Sequence, residues 1–359
     1  MRFHLYLFLL ISFCIFSCSD DKVKHQLQFH SPDYELSDFK PVNINSTFKV
    51  QENQVSIKSI FISENTQQLI LTSLEDSSFF HFYDLQTLAS KGSFIQIPKE
   101  VKSSFFRMRL LNAENTLQVL DDYNQRLLLY DVTRLNRDHY QPAAIDLPFS
   151  YNDPVIIDSI FTLADDVKRK KADHLYLVSL LKPPYEIAEA MPVNKLFLND
   201  TDLIDTIAYN TTHQGIFHKS KNTNEWLYIY EKIPLLQIFD STMILQKTAI
   251  GPDSIFFQDI RVKDKSNSYS YFQPYTDRPS YFSLEAKFNS DYIFVGLKDK
   301  YDDLFISKIL QFNHRLQPQY VYHLEQKASV FDIDFLNKKI YYADDKKSNR
   351  LYSFDFHSN

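Results

Sequence analysis

The stretch of sequence that decides the fold reads Leu117-Gln-Val-Leu-Asp121, Asp122-Tyr-Asn124-Gln-Arg126 and Leu127-Leu-Leu-Tyr130-Asp131. Two short apolar runs flank a polar turn, and the second run ends in an aromatic residue followed by Asp. Apolar runs of this length, separated by turn-forming residues, are typical of two antiparallel strands joined as a hairpin. The stretch therefore predicts a β-hairpin.

The same pattern recurs along the chain. It occurs six times, with closing aromatic residues at Tyr83, Tyr130, Phe197, Phe239, Phe312 and Phe354. These are spaced by 47, 67, 42, 73 and 42 residues, and three of the intervals fit the roughly 40–50 residues of a four-stranded propeller blade. Polar or proline-rich insertions at 164–174, 182–193 and 263–280 account for the two long intervals. In the third copy, Leu175–Ser179 is matched with Lys195–Asn199.

A further apolar run precedes the hairpins, as at Val55–Ile62, Phe105–Leu111, Gly215–His218 and Val330–Phe335. An additional strand within residues 33–50 could pair with the last repeat and close a ring. Closure leaves few sheet edges exposed to other chains. We therefore expect an all-β fold over residues 33–359, a six-bladed β-propeller with four-stranded antiparallel blades. A β-sandwich or two small β-domains are the alternatives.

The composition supports strands and excludes several kinds of site. The chain has 31 Phe and 23 Tyr but only 4 Gly, so Asn, Asp, Ser and Lys must form the turns. So few glycines exclude a glycine-rich phosphate loop or a dinucleotide-binding fingerprint. The net charge is −6, and the one basic run, Lys168-Arg169-Lys170-Lys171, stands among polar residues as in a solvated loop, so we expect no nucleic-acid partner.

The N-terminus has the pattern of a secretory signal. Met1-Arg2 is followed by the apolar run Phe3–Phe16, which is shorter than the roughly 20 residues of a membrane-spanning helix. The segment Ile15-Phe16-Ser17-Cys18 resembles the lipobox of bacterial lipoproteins. That resemblance implies cleavage after residue 17, lipid on Cys18 and a polar tether over residues 18–32. The alternative is an ordinary signal peptide.

The repeats resemble a known family. The units Leu117–Asp131 and Ile340–Asp355 are similar to blades of TolB-like and NHL-type six-bladed propellers. Together with the lipobox, the chain resembles the TolB-like propeller lipoproteins of Bacteroidota. Many members have glycine-rich turns, which this chain lacks. The resemblance implies a protein held by lipid on the bacterial outer membrane, at its periplasmic side or at the cell surface.

The segment between the fourth and fifth hairpins is the candidate binding loop. It carries aromatic and cationic side chains at Tyr269, Tyr271, Tyr275, Arg278 and Tyr281. Tyr and Arg are enriched among the residues that dominate binding interfaces, which favours an envelope protein or glycan as partner. The alternative is a connection between blades whose aromatic rings fill the core.

The sequence predicts no catalytic residue, no cofactor and no metal site. Paired acids occur at Asp121-Asp122 and Asp344-Asp345, and carboxylates from several blades could hold Ca²⁺ in an axial channel. Both pairs, however, begin a turn, where Asp commonly accepts hydrogen bonds from its own backbone. We therefore expect a binding module without catalysis. A metal-dependent, lactonase-like propeller hydrolase is the alternative.

Overall fold

The structure is a computed structural model that describes residues 32–44, 46–51, 57–73, 78–96, 105–111, 115–121, 124, 126–135, 140–146, 155–156, 161–164, 174–179, 187–192, 215–230, 234–251, 261–262, 272–273, 282–299, 302–344 and 350–358. All of these belong to one compact unit, residues 31–194 and 202–359. A second unit, residues 1–30 and 195–201, lies outside the described residues. No helix within the described ranges is long and apolar enough to cross a membrane.

The described residues are almost entirely strands, after one short 3-10 helix at Leu36–Asp38. In chain order the strands are β1 (Lys40–Asn43), β2 (Thr47–Gln51), β3 (Ile57–Ser63), β4 (Gln68–Ser73), β5 (Ser78–Asp84), β6 (Ser90–Gln96), β7 (Phe105–Leu111), β8 (Thr116–Asp121), β9 (Arg126–Asp131), β10 (Ala143–Asp146), β11 (Val155–Ile156), β12 (Phe161–Ala164), β13 (His174–Ser179), β14 (Ile187–Pro192), β15 (Gly215–Lys219), β16 (Trp226–Tyr230), β17 (Leu235–Phe239), β18 (Leu245–Ile250), β19 (Arg261–Val262), β20 (Phe272–Gln273), β21 (Phe282–Phe288), β22 (Tyr292–Asp299), β23 (Asp302–Asn313), β24 (Pro318–Asp334), β25 (Lys339–Asp344) and β26 (Arg350–Asp355).

Consecutive strands pair into sheets. Four sheets have four antiparallel strands each: sheet A (β3–β6), sheet B (β7–β10), sheet C (β11–β14) and sheet D (β15–β18). A larger sheet has the order β2-β26-β25-β24-β23-β22-β21, and β19 pairs with β20 separately. The predicted all-β class with four-stranded antiparallel sheets is therefore confirmed.

The two ends of the chain meet in the larger sheet. β2 pairs in antiparallel register with β26, so an N-terminal strand completes the edge formed by the last strand of the chain. This confirms the prediction of a strand within residues 33–50 that pairs with the last repeat. β1 adds in parallel to β24, with Lys40 opposite Tyr320. The N-terminal segment thereby covers two strand edges of the C-terminal part.

The predicted hairpins are correct except for the third. The other five are formed by β4–β5, β8–β9, β16–β17, β22–β23 and β25–β26. In the third, the partner of β13 is Ile187–Pro192, inside a segment predicted to be an insertion. The predicted partner, Lys195–Asn199, lies outside the described residues. Pro192 is the last residue of β14, the edge strand of sheet C, and edge strands are the places in a sheet where proline is found.

The core lies between successive sheets. One cluster joins sheets A and B through residues such as Phe80 and Tyr130, whose rings are 5.3 Å apart in an edge-to-face arrangement. Another joins sheet D to β21–β23 through residues such as Leu236 and Val295. A third lies within the larger sheet, and a fourth packs its last strands on sheet A. The apolar side chains of each sheet must be buried, and the neighbouring sheets bury them, so each sheet depends on its neighbours for stability.

The Asp or Asn that closes a hairpin starts the next turn. Oδ1 of Asp84, Asp131, Asp240 and Asn313 accepts a hydrogen bond from the backbone N–H two residues later, at 3.1, 2.9, 2.8 and 2.9 Å. A side-chain acceptor in this position fixes the turn without glycine. The prediction that Asp and Asn form the turns is confirmed at these four positions.

Several turns also use a left-handed backbone at residues other than glycine. Met243 and Leu316, with φ of 63° and 61°, keep their side chains 4% and 5% exposed, so burial offsets the backbone cost. Gln67, Asn115 and Lys338 have φ of 50°, 53° and 55°. Gln67 and Asn115 lie directly before the second strands of sheets A and B, and Lys338 lies directly before β25.

Candidate functional site

Two kinds of turn lie at one end of the sheets. In sheets A, B and D, an opening turn joins the first and second strands, and a closing turn joins the third and fourth. In an antiparallel sheet, alternate turns lie at the same end. Hydrogen bonds join these turns to the β21–β22, β23–β24 and β24–β25 turns of the larger sheet. We call the surface formed by all of these turns the turn face.

Sheet A contributes its opening turn to two such links. Ser63 Oγ donates to Asn115 Oδ1 of the opening turn of sheet B, at 3.2 Å. Glu64 Oε1 accepts a hydrogen bond from the backbone N–H of Phe335, in the β24–β25 turn, at 2.8 Å. The opening turn of sheet A is therefore held on both sides by turns of neighbouring strands.

Sheet D is joined in the same way to the larger sheet. Asn222 Oδ1 accepts from the backbone N–H of Ser290 in the β21–β22 turn, at 2.8 Å. Glu225 Oε2 lies 2.8 Å from Nε2 of His314 in the β23–β24 turn. Lys247 Nζ of β18 lies 3.0 Å from Nδ1 of the same imidazole and donates to the His314 carbonyl at 2.9 Å.

A buried ion pair lies among these turns. Lys221, in the opening turn of sheet D, has its Nζ 3.0 Å from Asp332 Oδ1, and the two side chains are 9% and 2% exposed. The other carboxylate oxygen of Asp332 accepts from the backbone N–H of Ile62 at 2.7 Å. The pair therefore joins β15–β16, β24 and β3. Burying two charges carries a desolvation cost that offsets much of their attraction. The pair therefore fixes the relative positions of these strands more than it adds to net stability.

Two large apolar side chains project from the turn face. Leu336, in the β24–β25 turn, is 67% exposed, and Ile244, in the β17–β18 turn, is 61% exposed. Both turns are fixed by carboxylates: Asp334 Oδ1 accepts from Asn337 N at 3.0 Å, and Asp240 Oδ1 accepts from Ile244 N at 3.0 Å. Large exposed apolar side chains held by rigid backbone suit a binding surface, because little conformational freedom is lost on contact.

Asp121, from the first acidic pair, has a structural role. Asp121 is 1% exposed and accepts from Asn124 N at 3.1 Å and Asn124 Nδ2 at 2.7 Å, and it pairs with Arg126 Nε at 2.9 Å. Burial raises the pKa of Asp121, but these hydrogen bonds and the Arg126 charge together lower it by more than burial raises it. The pKa of Asp121 therefore lies below the ordinary value. Asp122 and Asp345 lie outside the described residues. Within the described ranges, no three His, Cys, Asp or Glu side chains are grouped to hold a metal ion.

The residues predicted to carry the function lie elsewhere. Cys18 and the candidate binding loop residues Tyr269, Tyr271, Tyr275, Arg278 and Tyr281 fall outside the described residues. Their roles stay predictions. Of that loop, only the strand Phe272–Gln273 is described, and it pairs with Arg261–Val262.

The sequence held a signal for one residue that the prediction overlooked. Asp332 stands between Phe331 and Ile333 in a predicted strand, and an acid in such a position requires a partner when it is buried. Lys221 gave no comparable signal, because it stands among Ser, Asn and Thr like any residue of a solvated loop.

Comparison with solved structures identifies the fold. The structure is similar to a crystal structure of a Bacteroides fragilis protein described as exported, with a TM-score of 0.53 and 12% identity, covering 90% of this chain and 97% of that one. The chain's own successive four-stranded antiparallel sheets, with β2 completing the edge at β26, make it a β-propeller. At this identity the likeness extends to the fold alone.

Two solved propeller domains align less well. The β-propeller domain of Cps50 (Swd1) from Myceliophteria thermophila gives a TM-score of 0.48 at 11% identity, over 87% of this chain and 100% of that domain. The Pan2 WD40 domain of Neurospora crassa gives 0.44 at 8% identity, over 83% and 88%. The sequence matches no protein-family model and no curated protein.

Proposed function

We propose that this protein is a lipoprotein of the bacterial cell envelope whose propeller binds a partner and carries out no catalysis. The turn face is the surface that we assign to the partner. The observation that carries this proposal is that turns of different sheets are tied together there and present Leu336 and Ile244 to solvent. An envelope protein is the favoured partner, because aliphatic side chains suit protein surfaces, whereas sugars stack on aromatic rings.

We propose six blades for the propeller. Sheets A to D supply four. The pairing of β24 divides the larger sheet into two sets of four strands: residues 318–323 pair with β23, Ala328 pairs with both β23 and β25, and residues 330–334 pair with β25. One set is β21-β22-β23-β24, and the other is β24-β25-β26-β2. On this interpretation β2 is the strand that closes the ring.

The anchor is proposed from the sequence alone. Cleavage after residue 17 would leave Cys18 as the lipidated N-terminus, with residues 18–32 as the tether to the outer membrane. Asp33, where the tether ends, hydrogen-bonds at both its backbone N–H and its carboxylate to Ile250, at 2.7 and 2.8 Å. Cys18→Ser should move the protein from the membrane fraction to the soluble fraction, and palmitate labelling that survives this change would refute the anchor.

Site-directed photocrosslinking tests the binding surface. A photoreactive residue at position 336 or 244 should crosslink one dominant envelope component in intact cells. The matched control is position 144 on the exposed edge strand β10, which should give no such product. Protease or glycosidase digestion of the product then identifies a protein or a glycan. Equal crosslinking from all three positions would refute the turn face as the binding surface.

The candidate binding loop offers a separate test of the same function. Tyr275→Ala and Arg278→Ala should weaken capture of the component crosslinked at position 336 while the melting temperature stays unchanged. Unchanged capture by both variants would remove the loop from the proposed interface and leave the turn face alone. A calcium-dependent rise in melting temperature would favour the alternative, a metal-dependent propeller hydrolase.

A further inference from the structure

The ammonium group of Lys221 is surrounded by groups that do not belong to its own sheet. Its Nζ lies 3.0 Å from Asp332 Oδ1 and donates to the carbonyl of Ile333. A longer contact of 3.5 Å reaches the carbonyl of Ile62, and the ring of Phe335 lies with its centroid 5.5 Å away. The Lys221 side chain thus reaches from sheet D to β3 of sheet A and β24 of the larger sheet.

Among the described residues, these oxygen atoms lie on strand segments that pair on one side only. β3 is the first strand of sheet A and pairs only with β4, and residues 330–334 of β24 pair only with β25. The backbone groups on the other side of such a strand need partners when they are buried. The Asp332 carboxylate accepts a hydrogen bond from the N–H of Ile62. The Lys221 ammonium donates to the carbonyls of Ile62 and Ile333.

One carboxylate, two backbone carbonyls and an aromatic face are the ingredients of a cation site. We propose that β3 and β24 form such a site, and that the chain's own ammonium group occupies it in place of an ion. With Lys221 shortened, the site takes a small monovalent cation of the alkylammonium kind. This inference goes beyond the proposed binding function and does not depend on it.

The charge of the site selects a monovalent cation. Asp332 is the one carboxylate that faces the ammonium among the described residues, and the other oxygens are neutral carbonyls. Ca²⁺ takes six to eight oxygen ligands, usually with several carboxylates. A single positive charge balances Asp332, whereas a divalent ion would leave an uncompensated charge in a buried position.

Lys287 provides the matched control within the same region. Its Nζ lies 5.7 Å from the centroid of the Phe61 ring, one residue before Ile62 in β3. Glu285 Oε2 is 3.7 Å away, and the Lys287 side chain is 17% exposed against 9% for Lys221. Lys287 therefore shares the neighbourhood of Lys221 but has no set of surrounding oxygen atoms within hydrogen-bond distance in the described part of the chain.

Chemical rescue tests the proposal. Lys221→Ala should lower the melting temperature of the purified full chain by several degrees. Ethylammonium should restore at least half of that loss, and tetraethylammonium at equal ionic strength should restore none, because it is too large for the space left by the side chain. Wild type should respond equally to the two salts, and Lys287→Ala should show no preference for ethylammonium.

Asp332→Asn in the Lys221→Ala background should abolish the rescue. If Lys221→Ala does not fold without an added cation, the refolding yield in ethylammonium against tetraethylammonium gives the same comparison. Equal effects of the two salts on Lys221→Ala, or equal rescue of Lys287→Ala, would overturn the proposal. So would a stabilisation of wild type by Ca²⁺ that disappears in Asp332→Asn.

Discussion

Glu225 Oε2 and His314 Nε2 lie 2.8 Å apart and join the opening turn of sheet D to the turn between β23 and β24. The two side chains are 24% and 23% exposed, so water screens the contact only in part. The Glu225 carboxylate also accepts a hydrogen bond from Thr223 Oγ1 at 2.9 Å, which helps to orient it towards the imidazole. The contact therefore positions two turns of the turn face relative to each other.

A double-mutant cycle should detect this contact. Glu225→Gln and His314→Gln are each expected to lower the free energy of unfolding, with a coupling of about 0.5–1 kcal/mol between them, as for other half-exposed pairs. Urea unfolding of the two single variants and the double variant measures the coupling. Strict additivity of the two changes would show that the contact does not link the turns.

The closing turns give a second prediction. Asp240 accepts hydrogen bonds from Thr242 N at 2.8 Å, Ile244 N at 3.0 Å and Gln246 Nε2 at 2.6 Å. Asp240→Ala leaves these donors to water and should lower the free energy of unfolding by about 1–2 kcal/mol. The exposed neighbour Ser241 is the control, since Ser241→Ala should change stability by less than about 0.5 kcal/mol. Asp240→Asn, which keeps one acceptor oxygen, should fall between the two.

Local chemistry made much of this fold predictable from the sequence. Apolar runs bounded by polar turns placed β8 and β9, and the closing residue Asp131 marked the turn that follows. The prediction of the third hairpin was wrong because β14 carries Glu189 and ends at Pro192. As the edge strand of sheet C, β14 has a sequence that resembles a loop. Edge strands are held by their backbone and need no apolar pattern.

The contacts between residues of different sheets could not be predicted from the sequence. Lys221 and Asp332 are 111 positions apart, and no local pattern relates one to the other. The exposure of Leu336 was equally hidden, because an apolar residue at this position is as compatible with core as with surface. Both depend on which strands become neighbours, which is set by the packing of whole sheets.

Lys338 should be a position at which glycine stabilises the protein. Its φ of 55° costs a residue with a side chain about 1–2 kcal/mol, and glycine removes that cost while adding freedom to the unfolded chain. The exposed hydrogen bond from Lys338 Nζ to Ser358 Oγ would be lost, with little effect. We expect Lys338→Gly to raise the free energy of unfolding by about 0.5–1 kcal/mol.

The control for this change lies in the same turn. Leu336 is exposed and does not have a positive φ, so Leu336→Gly gains nothing in the folded state and only frees the unfolded chain. It should lower stability by about 0.5–1 kcal/mol. Chemical unfolding of both variants decides the matter, because effects of the same sign would show that backbone strain at Lys338 is not the cause.

Buried tyrosines should make the protein sensitive to alkali. Burial raises the pKa of Tyr130, Tyr341 and Tyr342 to about 12, above the value near 10 expected in the unfolded chain. Between these values the unfolded state releases protons that the folded state keeps. The stabilisation is therefore complete below pH 10 and is lost progressively as the pH rises towards 12, by about 1–2 kcal/mol for each tyrosine.

Absorbance of tyrosinate and far-ultraviolet circular dichroism, recorded along one alkaline titration, test this expectation. A group of tyrosines should ionise only together with the loss of strand signal, after the exposed ones have titrated near pH 10. Tyr341→Phe should reduce the slope of stability against pH above 10 and leave it unchanged at pH 7 to 9. If all tyrosines ionise near pH 10 while the strand signal persists, the phenols are reached by water in the folded protein, and the tight packing of the last strands against sheet A is wrong.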